Sequence, residues 1–241
     1  MSTPDLSNIR GILFDLWGTL AYNVPRHHRK DYDLLASKFG VHSEDLWKKW
    51  VIYGKPSIRG QIKSGEERAA LVLKDLGLTP SPEMVKELAH FEYENRSADV
   101  YFFPGVEDML ATLRERGYRT CLISNCNYLT SSVVERLNLA NLMDGIILSC
   151  EVGLAKPDLA IYRMGAERLG LATGDCLFAG DGGDGELDGA KAAGCKLALV
   201  AQERGHAFRF PAKNYPYDIR LNNINELVNY LKQAPIDSSA A

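Results

Sequence analysis

Seven polar residues of this sequence stand where polar side chains can work together. Asp15 ends the apolar run GILF (11–14). Ser124 and Asn125 come at the end of TCLIS (120–124). Lys156 sits in GLAKPD (153–158), downstream of GIILS (145–149). Asp181, Asp184 and Glu186 follow CLFAG (176–180) in GDGGDGELDGA (180–190). Carboxylates gathered in this way suit a hard dication such as Mg²⁺, which prefers oxygen ligands. The cation, Lys156, the Ser124 hydroxyl and nearby backbone N–H groups would together offset the charge of a phosphoryl group. One carboxylate, held close and aligned, can attack phosphorus. Gly18 lets the chain turn sharply just after Asp15.

These residues can meet only if the runs before them are neighbouring strands. GILF, TCLIS, GIILS, CLFAG and KLALVA (196–201) are apolar without alternation, as in strands buried on both faces of a parallel sheet. Helical spacing fills the gaps: 105–116, 130–138 (Thr130 placed to cap it), 158–169, 186–193 and 224–232, several stopped by glycine. The alternation predicts an α/β fold, a doubly wound Rossmann-like parallel sheet, whose ligands bind beyond the carboxyl ends of the strands. Residues 25–100 read differently. They show no convincing strand, and helical patterns run over 31–39, 43–53, 65–76 and 81–96. The expected organisation is a core of residues 1–21 and 101–241 with a helical insert at 22–100, joined at 21–26 and 97–104.

Composition narrows the function. The chain has 241 residues, 46% hydrophobic, with a net charge of −3 and no basic block. Nucleic acid and anionic membranes are therefore poor partners, since both need clustered Lys and Arg. No apolar stretch approaches the ~18–20 residues that cross a bilayer. The first ten residues carry no apolar signal core, and the last nine read as a frayed tail. Five cysteines, at 121, 126, 150, 176 and 195, have no metal-site spacing. Buried thiols in a reducing, cytoplasmic compartment are expected.

FDLWGTL (14–20), LISN (122–125), KPD (156–158) and GDGGDGELDGAKAAG (180–194) resemble, in order, the four motifs of the haloacid dehalogenase superfamily. The insert between the first two resembles that family's C1-type helical cap. The resemblance implies a hydrolase in which Asp15 is the nucleophile and forms an aspartyl intermediate. Thr19 would steady the turn, Ser124 and backbone near Asn125 would hold the phosphoryl oxygens, and Lys156 would neutralise Asp15. It implies Mg²⁺ held by Asp15, the Trp17 carbonyl and Asp181, with Glu186 or Asp184 as the further acid. Glu186 is favoured by its count back from Gly189–Ala190. The implied substrate is small and anionic, a phosphorylated organic molecule, turned over by a monomer or homodimer.

Trp17 departs from that pattern. Phosphate-ester hydrolases of the family carry a second Asp two residues after the nucleophile, worth about 10²–10⁴ in rate as an acid–base group. Indole has no such chemistry, although its backbone carbonyl is kept. A substrate with a good leaving group is one answer. A substitute acid is another, and His27 and His28 lie just downstream. A third is 2-haloacid dehalogenation, since that branch has an aromatic residue here, and a fourth is phosphonate cleavage with Lys48, Lys49, Lys55 or Lys63 of the insert. Three acids around Asp15 with no cation would repel one another, which favours metal-dependent phosphoryl chemistry. Gly180–Gly185 also fits GxGxxG, with Glu203 about twenty residues on, but its two acids would repel a pyrophosphate. A catalytically weak binding protein remains the non-enzymatic alternative. In the insert, Trp47, Trp50 and Tyr53 share a helical face and read as bundle core, with the sharper option that one shapes a substrate pocket. Arg59 and Lys63 are placed to meet an anion or to stay solvated.

Overall fold

A computed structural model describes residues 4–202 and 216–235. Along the chain run β1 (Gly11–Phe14), β2 (Ala21–Asn23), α1 (Arg29–Lys38), α2 (Ser43–Ile52), α3 (Gly54–Ile58), α4 (Gly65–Asp75) and α5 (Pro82–Arg96). Then come β3 (Val100–Phe102), α6 (Val106–Glu115), β4 (Arg119–Ser124), α7 (Thr130–Arg136), α8 (Leu139–Leu142), β5 (Gly145–Leu148), α9 (Ser149–Val152) and α10 (Leu159–Arg168). The last are β6 (Cys176–Gly180), α11 (Glu186–Ala193), β7 (Lys196–Val200), β8 (Ile219–Leu221) and α12 (Leu227–Tyr230).

Six strands form one sheet in the order β5-β4-β1-β6-β7-β8. Every pairing in it is parallel. Counting only these six strands, the order is 3-2-1-4-5-6, the doubly wound arrangement, with its switch point at β1. Side chains of β1 alternate between two cores: Ile12 and Phe14 join one apolar cluster, Leu13 the other. Because both faces are covered, the run GILF has no polar position, and all four residues are buried. Phe14 sits opposite Leu122 of β4 and Ala179 of β6. The residues that follow these three strands therefore emerge side by side.

Helices α1, α2, α4 and α5 pack around a third cluster that includes Leu35, Leu46, Trp50, Leu73 and Leu88. The predicted helices all form, within a residue or two of their expected ends, except at 224–232. There a single turn of 3-10 helix (Ile224–Glu226) precedes the four residues of α12. Thr130 is not a cap: Leu129 holds that place, and Asn127 Oδ1 accepts the Leu129 N–H. The two joints of the bundle pair with each other as an antiparallel ribbon of β2 and β3, and β8 and α3 were also unforeseen. Three-residue strands are too short to show a period, and α3 carries Pro56, which reads as a break. Of the aromatic trio, Trp50 is core, Trp47 is largely exposed and Tyr53 follows the end of α2. Glu203 lies outside the described residues. All five cysteines are buried, and among the described residues no helix is long and apolar enough to cross a membrane.

The bundle closes against the sheet domain at Gly60. This residue has φ +66°, and a Cβ on it would lie 2.0 Å from the Cys150 carbonyl oxygen. Arg59 beside it pairs with Asp158 at 2.9 Å. A Gly60→Ala substitution therefore meets a backbone atom that cannot swing aside, in a left-handed conformation. We expect a loss of about 2 kcal/mol or more, seen as a lower urea midpoint at unchanged slope.

Candidate active site

Asp15 leaves the end of β1 with its N–H bonded to the Ala179 carbonyl at 2.9 Å. The chain then turns back on itself. The Leu16 carbonyl accepts from the N–H groups of Thr19, Leu20 and Ala21, and the Gly18 N–H returns to Ala21. Gly18 has φ +75°, which a side chain would strain. The turn places the Thr19 hydroxyl 3.1 Å from Asp15 Oδ2, to which it donates.

Across the switch point stand Lys156, Asp181 and Glu186. Lys156 Nζ is 2.6 Å from Asp15 Oδ1 and 2.5 Å from Glu186 Oε2, and all three residues are buried. Carboxylate oxygens of Asp15, Asp181 and Glu186 lie within 4.8 Å of one another. Burial pulls the Lys156 ammonium down, but Asp15 and Glu186 together outweigh it and hold it above its ordinary value. Burial, then the charge of Asp15, pushes the Glu186 carboxyl up to about 7, with Lys156 opposing both. Asp15 and Glu186 share one buried ammonium, and with Asp181 they form a carboxylate group that could hold a cation. The donor set fits a hard dication. So does the turn: its hydrogen bonds occupy the carbonyls of Leu16, Gly18, Thr19 and Leu20, and among the described residues none reaches the Trp17 carbonyl.

Ser124 ends β4 fully buried, and its hydroxyl has no partner among the described residues. A buried hydroxyl without a partner is costly, so this one suits an incoming oxyanion. The Asn125 side chain is engaged with the neighbouring loops, apart from the backbone for which a phosphoryl contact is expected. Its Oδ1 accepts the Lys156 N–H at 2.7 Å, and its Nδ2 donates to the Lys156 carbonyl at 2.9 Å and to Asp184 at 3.0 Å. The side chain of Asn125 is a clamp between two loops. Asp184 is exposed and tied to that clamp; the structure groups Glu186, and not Asp184, with the other acids. The GxGxxG reading fails on its own loop: Gly182 N–H donates to Glu186 Oε1 and Gly183 N–H to Asp181 Oδ1, so the acids occupy donors a pyrophosphate would need.

The Trp17 ring is half-buried against the core cluster that holds Phe14 and Leu20. His27 stacks on Phe91 and bonds to Glu94 at 2.7 Å. With His28 it lines a cleft of about 430 Å³ within the bundle, apart from the acidic group. Lys48 and Lys49 pair with Glu44 and Asp75 on the bundle, and Lys55 and Lys63 are exposed.

Two groups of residues were missed by sequence reasoning. Gln202 is buried after β7 and bonds to the turn behind Asp15. At the seam between bundle and sheet, Glu92 of α5 takes Arg68 Nη1 at 2.6 Å and Asn127 Nδ2 at 3.3 Å, and the Tyr128 hydroxyl also donates to it. Burial raises the Glu92 carboxyl, against the pull of Arg68 and Tyr128. Nothing in the sequence links these residues, which are 24 to 36 positions apart.

The family model for haloacid dehalogenase-like hydrolases matches residues 9–194. A phosphoglycolate phosphatase of Salmonella choleraesuis is 30% identical over 204 residues, 79% of this chain and 80% of the relative. In fold, the chain is similar to a 2-haloacid dehalogenase from Pseudomonas syringae pv. Tomato (TM-score 0.68, 24% identity, 92% of this chain and 98% of that one). It is also similar to a HAD phosphatase from Thermococcus onnurineus (TM-score 0.62, 18% identity, 95% and 100%). The motif order, the switch-point cluster and the matched span agree, and this chain belongs to the haloacid dehalogenase-like hydrolases.

Proposed function

We propose that this hydrolase is a Mg²⁺-dependent phosphatase acting on a small organic phosphate in the cytoplasm, with residues 22–100 as its helical cap. The observation that carries the reading is the acidic group: Asp15, Asp181 and Glu186 within 4.8 Å of one another, with one ammonium among them. Asp15, the Trp17 carbonyl, Asp181 and Glu186 would hold the ion, which when bound supplies positive charge to a phosphoryl group.

The chemistry then falls to the chain's own residues. An Asp15 oxygen attacks phosphorus, the bond to the leaving oxygen breaks with its electron pair, and an aspartyl phosphate forms. Water attacks that phosphorus, the Asp15–phosphorus bond breaks, and phosphate departs with the carboxylate restored. Lys156 Nζ, 2.6 Å from Asp15, sets a positive charge beside the attacking oxygen and the transferring group. Ser124 donates its open hydroxyl to a phosphoryl oxygen. Thr19 holds the other Asp15 oxygen and so sets the direction of attack.

The phosphoglycolate phosphatase relative points to a small phosphorylated acid as substrate class. Trp17 shifts the preference within that class. With no carboxylic acid two residues after the nucleophile, a leaving group that departs as a stable anion is favoured, as from an acyl or aryl phosphate. Dehalogenation is the second reading, favoured by the aromatic residue at 17; it needs no cation, and three clustered acids then lack a reason.

The test is a screen of aryl, acyl and alkyl phosphates and 2-haloacids, with Mg²⁺ and with EDTA. We expect p-nitrophenyl phosphate turnover that needs Mg²⁺ and falls about 10³-fold or more in Asp15→Asn. Halide release in EDTA without phosphatase activity would overturn the reading. Trp17→Asp restores an acid and should raise alkyl phosphate turnover by about tenfold or more. An equal fall on every substrate would contradict that account of position 17.

Lys156→Met leaves the carboxylates without their ammonium. Without Mg²⁺ we expect a loss of about 3–5 kcal/mol in chemical denaturation. Added Mg²⁺ should restore much of it while turnover stays low. A variant as stable as the wild type without Mg²⁺ would show that the buried charges do not need Lys156.

A further inference from the structure

We infer that Gln202 is a positioning residue for the divalent-cation site, acting through the turn that follows the nucleophile. This rests on the Mg²⁺ reading above. Gln202 lies just past β7, two strands away from β1. Its side chain is buried, with 9% of the residue exposed. Nε2 donates to the Thr19 carbonyl at 2.7 Å and to the Gly18 carbonyl at 3.2 Å, and Oε1 accepts the Ile224 N–H at 3.2 Å. Both amide hydrogens and the carbonyl are therefore used, one end on the turn and the other on the segment after β8.

The hydrogen bonds of the turn show why this matters. The Leu16 carbonyl takes three N–H groups of the turn itself, and the Leu20 carbonyl takes Phe103 N–H at 3.0 Å. Neither the turn nor the ribbon supplies a donor for Gly18 and Thr19. Thr19 is fully buried, so water is no substitute. Without Gln202, two carbonyls at the back of the turn would lack donors, and buried carbonyls recruit them by moving. The peptides that would move are Gly18–Thr19 and Thr19–Leu20, and the adjoining peptide joins Trp17 to Gly18. It carries the carbonyl proposed as a cation ligand, the one the turn leaves open. Thr19, which donates to Asp15, moves with it. Gln202 thus holds two carbonyls back and fixes the third for the cation.

The side-chain type is demanding. Glutamate has the length but repels both carbonyls. Asparagine keeps the amide and falls one methylene short. Methionine keeps the length and has no donor. A residue acting through ligand orientation in this way is worth about 10–100-fold in metal affinity or activity.

The test uses the full chain, with Mg²⁺ alone as the calorimetric probe and p-nitrophenyl phosphate as substrate. Gln202→Met and Gln202→Asn are compared with Ile219→Ala, which hollows the same core cluster on β8 and removes no hydrogen bond of the turn. Each is read for Mg²⁺ affinity, kcat, KM and urea midpoint. We expect both Gln202 variants to bind Mg²⁺ about tenfold or more weakly and to lose kcat at limiting Mg²⁺, with Gln202→Asn the milder. Ile219→Ala should lose stability and keep its Mg²⁺ affinity. Should Gln202→Met not fold, Gln202→Asn carries the measurement. Wild-type Mg²⁺ affinity in the Gln202 variants overturns the inference. So does a fall in affinity that Ile219→Ala matches at equal loss of stability, since the role is then only structural. A wild-type protein with no calorimetric Mg²⁺ signal overturns the cation reading itself, a separate result because it needs no variant.

Discussion

The site is governed by carboxylates crowded together at the switch point of the sheet. Three carboxylates stand within 4.8 Å of one another, and one ammonium touches two of them. Asp15, Glu186 and Lys156 are buried, where a low dielectric strengthens the attraction to the ammonium and the repulsion between the acids alike. Burial, and then the charge of Asp15, push the Glu186 carboxyl up to about 7. Such a set persists only where the scaffold prevents the acids from spreading. Here β1 and β6 are paired neighbours, and Asp15 is tied by its own N–H to Ala179. Glu186 opens α11, where Tyr162 hydroxyl donates to its carbonyl at 2.7 Å and Gly182 N–H to its carboxylate. The parallel sheet supplies the rigidity, and the switch point supplies the convergence.

Most of that arrangement is legible in the sequence because it depends on strand ends. A strand buried on both faces has no polar position, so its last apolar residue marks where the chain reaches the sheet's edge. Asp15, Ser124 and Asp181 stand at such edges, and their neighbourhood follows from strand order. Glu186 could be favoured over Asp184 by its count back from Gly189–Ala190, and in the structure it opens helix α11 and is buried while Asp184 is exposed in the loop. What could not be read was contact between side chains on elements with no pattern relation. Gln202 follows an apolar strand like any polar loop residue, and its partners are 183 and 184 positions away. Arg68 and Glu92 read as charges on the solvated faces of two helices until the bundle buries them against the sheet domain. The ribbon of β2 and β3 escapes for another reason: two runs of three residues, far apart in the chain, show no periodicity.

The seam links the bundle to the reacting groups by few steps. Glu92 accepts from Asn127 and Tyr128, two and three residues beyond Asn125. Asn125 in turn holds the Lys156 backbone at both its N–H and its carbonyl. Arg68, stacked on Trp50 with its guanidinium carbon 4.3 Å from the ring centroid, fixes Glu92 from the bundle side. Polar groups buried at a seam are costly when separated, since each would then lack its partner. The bundle therefore has a defined docked position, and the loop carrying Asn125 shares it.

Position 17 shows how backbone and side chain divide the work. The turn is built from main-chain bonds, from the left-handed Gly18 and from two carbonyls held by Gln202. None of these uses the side chain at 17. The ring leans on apolar neighbours already assembled around Phe14 and Leu20. A change there alters what the site offers a leaving group and leaves the Trp17 carbonyl in place. The same argument runs the other way for Thr19, whose hydroxyl reaches Asp15 and whose carbonyl is anchored by Gln202. The carbonyl survives any change of side chain, but loss of the hydroxyl takes a donor from Asp15. Variation in the chemistry of this turn is therefore open at residue 17 and closed at residue 19.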